Sequence, residues 1–383
     1  MNINKNLYNM DKLEELKYQN SLLALRFNEQ NSKGRVLPES NQHNSCFFAD
    51  IKKINNSLLF QRLKGVTQLF CINKYPGIAT KLDHSLMVLI LSRRCARILG
   101  LNKELASAIA LSHDIAHCPY SHLGERTISK MSRKKLHHAK LAAIYSETLK
   151  DLNLSYEVVQ GILFHSRSNG MLAQNEVTQE AILVRFCDKI SFISSDILAS
   201  LKCNFFSMEK LPLEILESIY QEIENGDNVK EVMTRDCNSG KLSTKLADYF
   251  VDSLIKESSE MGFVSFSESK GAKQFKLLSE WIQANLYQIV DYHQDLEKKK
   301  FNLREIFELF LNEPVFKDYN PYLLLSLLTD HEAESLKWSR RNGSNITSMK
   351  FFKIAKENFR KKDIDIFNYE LDPTKYHKQA QTS

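Results

Sequence analysis

Residues 81–125, KLDHSLMVLILSRRCARILGLNKELASAIALSHDIAHCPYSHLGE, constrain the fold of this chain more than any other stretch. Leu82, Leu86, Leu89 and Ile90 recur at helical spacing, with Arg93, Arg94 and Arg97 largely on the other side. Gly100 is a natural C-terminal stop. Asn102 is placed to cap a second helix through Leu105, Ala108, Ile109 and Leu111. That helix ends in the doublet His113-Asp114. Pro119 is a helix breaker just beyond the doublet, so AHCPYSH is expected to be a loop that doubles back. His84 lies near the start of the first helix, and VRFCDKISFISSD (184–196) supplies Asp188 much later. One His, a His-Asp pair and a distant Asp on three separate helices form a candidate metal cage.

The surrounding composition points to an all-α fold. Of 383 residues, 12 are Gly and 7 are Pro, below the roughly 7% and 5% of average usage. Leu, Ile, Lys and Glu are plentiful, as helices prefer. Residues 1–45 are polar and Asn-rich, and are expected to form an N-terminal arm, extended after a short first helix. Residues 46–205 are expected to form the core that carries the cage. That core should hold a near-helical run at 47–72, a turn at Pro76-Gly77, and helices at about 138–150, 156–166 and 178–201. Residues 206–383 form a helical C-terminal region, patterned to about 361 and clearest in EKKKFNLREIFELFL and YLLLSLLTDHEAESLKWSRR. The tail DPTKYHKQAQTS is expected to be frayed.

The seven cysteines (46, 71, 95, 118, 187, 203 and 237) are odd in number, scattered and without a CxxC pair. This argues against a disulfide framework or zinc ribbon and for a reducing compartment. The N-terminal MNINKNLYNMDKLEELK carries acids and no apolar core, and no run of 18 apolar residues occurs. Neither a signal peptide nor a membrane span is therefore expected, and a cytoplasmic location is the corresponding expectation. The net charge of +6 is modest. It suits a polyanionic ligand, but on its own a solvated surface is the favoured account of it.

Adjacent helical residues point about 100° apart, so His113 and Asp114 can share an ion only near a helix end, which Pro119 places close by. Two His and two Asp are neither a soft thiolate site nor a pure oxygen cage. The set suits Mn²⁺, Fe²⁺, Co²⁺, Ni²⁺ or Zn²⁺, with Mg²⁺ also admissible. Four protein ligands on an octahedral ion leave positions for water and a phosphoryl oxygen, the geometry of phosphate hydrolysis. A lone His-Asp pair is common at helix ends. Here it comes 29 residues after a His in Lys-x-x-His-Ser and precedes a helix reading Asp-Lys-Ile-x-Phe.

In combination these segments resemble the HD superfamily of metal phosphohydrolases and, within it, the deoxynucleoside triphosphate triphosphohydrolases. That group includes bacterial dGTPases and the mammalian SAM-and-HD-domain dNTPase. The matching segments are GRVLPE (34–39), FQRLKGVTQLF (60–70), YPGIATKLDHSL (75–86), AIALSHDIAHCPYSHLGE (108–125) and VRFCDKISFISSDI (184–197). SLLTDHEA (326–333) is a faint echo further on. The resemblance implies one divalent ion bound by His84, His113, Asp114 and Asp188. It implies that His117, His122, Glu125 and His138 surround the triphosphate as catalytic residues. Gln68, Lys81, Lys189, Phe192 and Asp196 would contact the sugar or phosphates of a dNTP. Lys81 stands where the family usually has Arg, Phe192 for Tyr, and Ala116 for Gly. These departures bear on base preference and rate more than on reaction class.

Residue-level readings run beside the resemblance. Asp188, Phe192 and Asp196, at i, i+4 and i+8, line one helix face. Phe192 could exclude a 2′-OH and Asp196 reach a sugar hydroxyl; each is also an ordinary core or surface residue type. His122, with Glu125 one turn on, is the candidate general acid for a leaving 5′-oxygen. Attack of hydroxide on the α-phosphorus would then release a deoxynucleoside and tripolyphosphate. Of His137 and His138, register with the family favours His138, and His165 is a supporting or core histidine without a role. The run RTISKMSRKKLHHAK (126–140) has six Lys or Arg and no acid, and faces either triphosphate or solvent. One rival is an HD phosphodiesterase or nuclease acting on cyclic nucleotides or single-stranded nucleic acid. Another is a catalytically silent nucleotide-sensing module. A nucleotide activator and a homo-oligomer are further expectations from the family.

Overall fold

The computed structural model describes residues 22–39, 45–69, 79–166, 176–203, 207, 210–224, 228–291, 294–342, 348–359 and 364–378. Among these the architecture is all-α, with helices and short 3₁₀ turns and no β-sheet. The first two helices are α1 (Cys46–Asn56) and α2 (Leu58–Arg62). Ser57 ends α1, and its hydroxyl accepts from Phe60 N at 3.1 Å to start α2, which breaks the run expected at 47–72.

α3 (Lys81–Leu99) opens with a capping box between Thr80 and Asp83 and stops at Gly100, whose φ of 78° lies in the left-handed region that glycine tolerates. α4 (Lys103–Ser112) begins with the Asn102 side chain accepting from Leu105 N at 3.1 Å. α5 (His122–Ser132), α6 (His138–Thr148), α7 (Tyr156–His165) and α8 (Gln179–Lys202) come next, close to the expected runs. α4 is the hub: from Leu105 to Ser112 every side chain is buried, and α1, α3, α7 and α8 pack on it. Each of Leu105, Ile109 and Leu111 stabilises the fold by roughly 1.5–3 kcal/mol through burial. The approach of α7 is close enough that a Cβ on Gly161 would lie 2.5 Å from Ile109 Cδ1.

α3 buries a different face from the one its leucines suggest. His84, Ser85, Val88, Leu91, Ser92, Cys95 and Leu99 point inward, while Leu86 and Ile90 are exposed. The inward stripe carries His84, so the site sets the rotation of the helix. Arg94 reaches outward to Asp248 and Asp252 of α11 (Leu242–Met261).

The C-terminal helices are α9 (Leu213–Ile223), α10 (Val229–Ser239), α11, α12 (Lys270–Asp291), α13 (Gln294–Asn312), α14 (Pro321–Leu327), α15 (Asp330–Asn342) and α16 (Lys350–Asn358). α11 and α12 lie against α8, and α13 and α14 against α5. Arg62 is buried between the halves. It donates to the carbonyls of Ile115 (3.2 Å), Ser326 (2.8 Å), Leu327 (2.9 Å) and His117. A buried guanidinium is tolerated where carbonyls take its N–H groups. Asp330 adds a second tie, accepting from Thr67 N at 3.2 Å and Tyr120 N at 2.6 Å.

Two expectations about the ends are corrected. Residues 22–39 are fastened to the core, not extended: Leu22 N donates to Leu99 O at 3.2 Å, and Arg35 forms a buried ion pair with Asp50. The tail is anchored where it was expected to fray, because Tyr376 is buried and His377 pairs with Arg35 through the backbone. The expected first helix, the Pro76-Gly77 turn and residues 379–383 lie outside the described residues.

Candidate functional site

The inner faces of α3 and α8 meet the C-terminal end of α4. His84 Nε2 lies 2.9 Å from Asp188 Oδ1 and 3.9 Å from Asp114 Oδ2. His113 Nε2 lies 3.5 Å from Asp114 Oδ2 and 3.6 Å from Asp188 Oδ1. His113 caps the end of α4, so Asp114 leaves the helical path and turns toward its neighbour. The side chains expected to converge therefore do.

These four fit a divalent ion. His113 Nδ1 donates to the Ala110 carbonyl at 2.7 Å, which turns Nε2, a buried atom with no hydrogen-bond partner, toward the two carboxylates. Tying one ring nitrogen to a carbonyl is how proteins aim the other at a metal. Burial lowers the His113 pKa, but the Asp114 and Asp188 carboxylates outweigh it and push it up to about 10. The pocket thus favours a positive charge at Nε2. Burial opposes the ionised forms of Asp114 and Asp188, yet the neighbouring His and Lys81 charges hold Asp114, and His113 and His84 hold Asp188, well below the usual carboxylate range. Lys81 Nζ donates to Asp114 Oδ2 at 2.8 Å.

The second oxygen of Asp114 faces a cluster of histidines. His117 Nε2 is 3.0 Å from Asp114 Oδ1, His138 Nε2 3.7 Å and His165 Nε2 3.8 Å. Glu125 orients the cluster: Oε1 accepts from His138 Nδ1 at 2.7 Å, and Oε2 is 3.4 Å from His122 Nδ1. The loop doubles back as expected, with Tyr120 and Ser121 at φ of 61° and 52°. Such non-glycine backbone costs on the order of 1–3 kcal/mol and persists where surroundings impose it; here Asp330 holds Tyr120 N, and the Ser121 hydroxyl donates to Thr67 O. A Cβ on Gly124 would meet Pro119 O at 2.2 Å, so α5 sits directly on the loop.

His122 is the first residue of α5 and its side chain is 53% exposed, at the mouth of the site. His137 caps α6, accepting from Ala139 N at 3.2 Å, and contacts Ser166, so His138 is the inward member of the pair. His165, to which the sequence assigned no role, belongs to the cluster: Nε2 is 3.0 Å from His138 Nε2. Burial and the charges of His113 and His138 lower its pKa to about 3.

A cavity of about 470 Å³ adjoins both groups, within the roughly 300–1,000 Å³ usual for small-molecule sites. Gln68, Lys81, His84, Asp114, His117, His122, His138, Asp188, Lys189, Phe192 and Asp196 line it, while His113 and Glu125 stand behind, touching the lining residues. Gln68 Oε1 is buried with no hydrogen-bond partner. Asp196 accepts from Tyr287 Oη at 3.0 Å, and burial raises its pKa to about 7. Gln283, Tyr287 and Leu296, from α12 and α13, also line it. Sequence reasoning missed them because their helices carry no motif. Of the basic run at 126–140, Arg126 and His138 reach the cavity, and Lys134 lies over the Phe367 ring.

No helix among the described residues is long and apolar enough to cross a membrane. Residues 82–193, which contain all four convergent side chains, match the HD domain family. A deoxyguanosinetriphosphate triphosphohydrolase-like protein of Desulfatibacillum aliphaticivorans is 27% identical over 297 residues, 73% of this chain and 78% of its own length. One of Clostridium perfringens (strain SM101) is 28% identical over 317 residues, 82% of this chain and 86% of its own. One of Caldanaerobacter subterraneus is 33% identical over 208 residues, 53% of this chain and 60% of its own. Residues 82–193 thus carry an HD domain, and the chain is similar over most of its length to the deoxyguanosinetriphosphate triphosphohydrolase-like proteins.

Proposed function

We propose that this protein is a metal-dependent deoxynucleoside triphosphate triphosphohydrolase that cleaves a dNTP to a deoxynucleoside and inorganic tripolyphosphate. The observation that carries this reading is the convergence of His84, His113, Asp114 and Asp188, with His nitrogens 2.9–3.9 Å from the Asp oxygens, beside a cavity that also holds Phe192 and Asp196. The names of the similar bacterial proteins favour the same substrate class. Those four side chains would hold one divalent ion of the Mn, Mg, Fe, Co, Ni or Zn type. When bound, such an ion polarises a phosphoryl oxygen and makes a water acidic enough to act as nucleophile near neutral pH.

The chain's own residues perform the remaining tasks. Lys81, Lys189 and Arg126 bring positive charge to the cavity for a polyanionic triphosphate. Glu125 holds His122 and His138 in fixed orientations. His122, at the mouth, gives its proton to the leaving 5′-oxygen and regains one from solvent. His117 and His138 stack at 4.0 Å and shape the space around the phosphates. Phe192 packs beside C2′ of the sugar and leaves no room for a 2′-hydroxyl. Asp196 and Gln68 accept from the sugar. A buried acceptor left alone costs about 1–3 kcal/mol, which a ligand hydroxyl at Gln68 Oε1 would recover.

The test is incubation of the protein, stripped of metal and reloaded with Mn²⁺ or Mg²⁺, with each of the four dNTPs and GTP. Tripolyphosphate and deoxynucleoside from a dNTP support the reading. A nucleoside monophosphate product points to the phosphodiesterase or nuclease class, and no turnover with any nucleotide removes the proposal.

A further inference from the structure

We propose that Asp330, in the C-terminal half of the chain, is a positioning residue for the general acid His122. The His122 side chain is 53% exposed, so packing does little to fix it. Its place is set by the Glu125 contact at 3.4 Å and by the backbone from which it rises. That backbone is unusual. The two preceding residues, Tyr120 and Ser121, have φ of 61° and 52°, a region that residues other than glycine rarely enter. Ser121 stands at the N-cap of α5 but does not cap it, because its hydroxyl donates to Thr67 O instead. A helix start that forgoes its own cap and stands on strained backbone must be held from outside.

Asp330 supplies the hold. Its side chain is buried, and both carboxylate oxygens are engaged. Oδ1 accepts from Tyr120 N at 2.6 Å, while Oδ2 accepts from Thr67 N at 3.2 Å and Thr67 Oγ1 at 2.6 Å. Thr67 O in turn accepts from Ser121, so one carboxylate fastens both strained residues. One turn along α15, Glu334 accepts from Tyr120 Oη at 2.7 Å, which grips Tyr120 at its ring end as well. The start of α15 is itself fixed. Thr329 and Glu332 cap it reciprocally, and Arg62 donates to the Leu328 carbonyl at 3.1 Å.

The first turn of α5 hangs on the residues so held. Leu123 N donates to Tyr120 O at 3.1 Å, and Glu125 N to Ser121 O at 3.3 Å. His122 and the Glu125 that orients it therefore take their position from Asp330. This gives SLLTDHEA (326–333) a task that the reaction itself does not. The inference rests on the triphosphohydrolase reading with His122 as its acid, and adds the residue that aims it.

Asp330→Asn keeps the size but offers one oxygen, so its amide N–H groups meet either Tyr120 N–H or Thr67 N–H. Full-length wild type, Asp330→Asn, His122→Ala and the double variant, loaded with Mn²⁺, are compared for kcat with dGTP and for bound metal. Amide hydrogen exchange of the metal-free proteins is followed by mass spectrometry. Asp330→Asn should exchange faster over residues 120–125 and lose about 10–10²-fold in kcat, with bound Mn²⁺ unchanged. In the His122→Ala background the same substitution should change kcat by less than about twofold, because a residue that acts through His122 has nothing left to aim. Equal losses in the two backgrounds, a wild-type rate in Asp330→Asn or unaltered exchange over 120–125 would overturn the assignment and leave the hydrolase reading intact. No turnover by the wild type removes that reading and this inference with it. If Asp330→Asn does not fold by circular dichroism, Thr67→Val, which deletes one hydroxyl donor to Asp330, takes its place. A smaller loss of kcat that vanishes in the His122→Ala background is then expected, and equal losses in both overturn the assignment.

Discussion

Replacing Asp196 by Asn isolates the electrostatics of the cavity. Asp196 is 3% exposed, and burial raises its pKa from the usual 3.8 to about 7 against the opposing pull of the Tyr287 hydroxyl and Lys81. A raised folded pKa means that the folded protein keeps a proton the unfolded chain has released. The stability contributed by that proton is fully present below pH 3.8 and is lost as pH rises through about 7. A rise of about three pH units at ~1.4 kcal/mol each is about 4 kcal/mol. Asn has the shape of the protonated acid, keeps an oxygen for the Tyr287 Oη donor at 3.0 Å, and never ionises. The variant should match the wild type near pH 4 and exceed it by up to about 4 kcal/mol at pH 8. Thermal unfolding followed by circular dichroism reads this as a gap in melting temperature, most of which opens between pH 4 and 7. A gap of constant size across that range would refute the reasoning. The same variant should have a higher KM for dGTP, and should lose any KM transition near pH 7.

Other substitutions probe the site and its scaffold. His122→Ala should lower turnover by about 10²–10⁴-fold while bound Mn²⁺ and melting temperature stay as in the wild type; loss of metal as well would place His122 among the ligands. Phe192→Ala should open space at C2′, so the ratio of dGTP to GTP turnover should fall by about tenfold or more. An unchanged ratio would show that sugar selection lies elsewhere. Gly161→Ala forces a Cβ to within 2.5 Å of Ile109 Cδ1 and should cost about 1–3 kcal/mol. Adding Ile109→Val should recover part of the loss, and strictly additive costs would reject the contact.

Much of this fold can be read from local signals. Gly100 and Asn102 bound α3 and α4 because their chemistry acts within a few residues. Asp188, Phe192 and Asp196 reach one cavity because their spacing repeats the helix period. The rotation of α3 could not be read so directly: Leu86 and Ile90 look like core, yet the turn that buries His84 leaves them in solvent. His165 lacked a partner in the sequence, since only the packing of α6 on α7 brings it to His138. Tyr287 and Arg62 act through contacts more than 90 and 260 residues away in the chain, respectively. No short motif records such distances. The anchoring of the tail was hidden for a related reason, being a backbone pairing with Arg35 at the opposite end.

Hydrolysis of dGTP in H₂¹⁸O, with both products weighed by mass spectrometry, is the most direct measurement of what these side chains do together. Attack at the α-phosphorus with departure of the 5′-oxygen predicts one ¹⁸O in tripolyphosphate and none in deoxyguanosine. Label in deoxyguanosine, or its appearance in a monophosphate formed beside pyrophosphate, would contradict it.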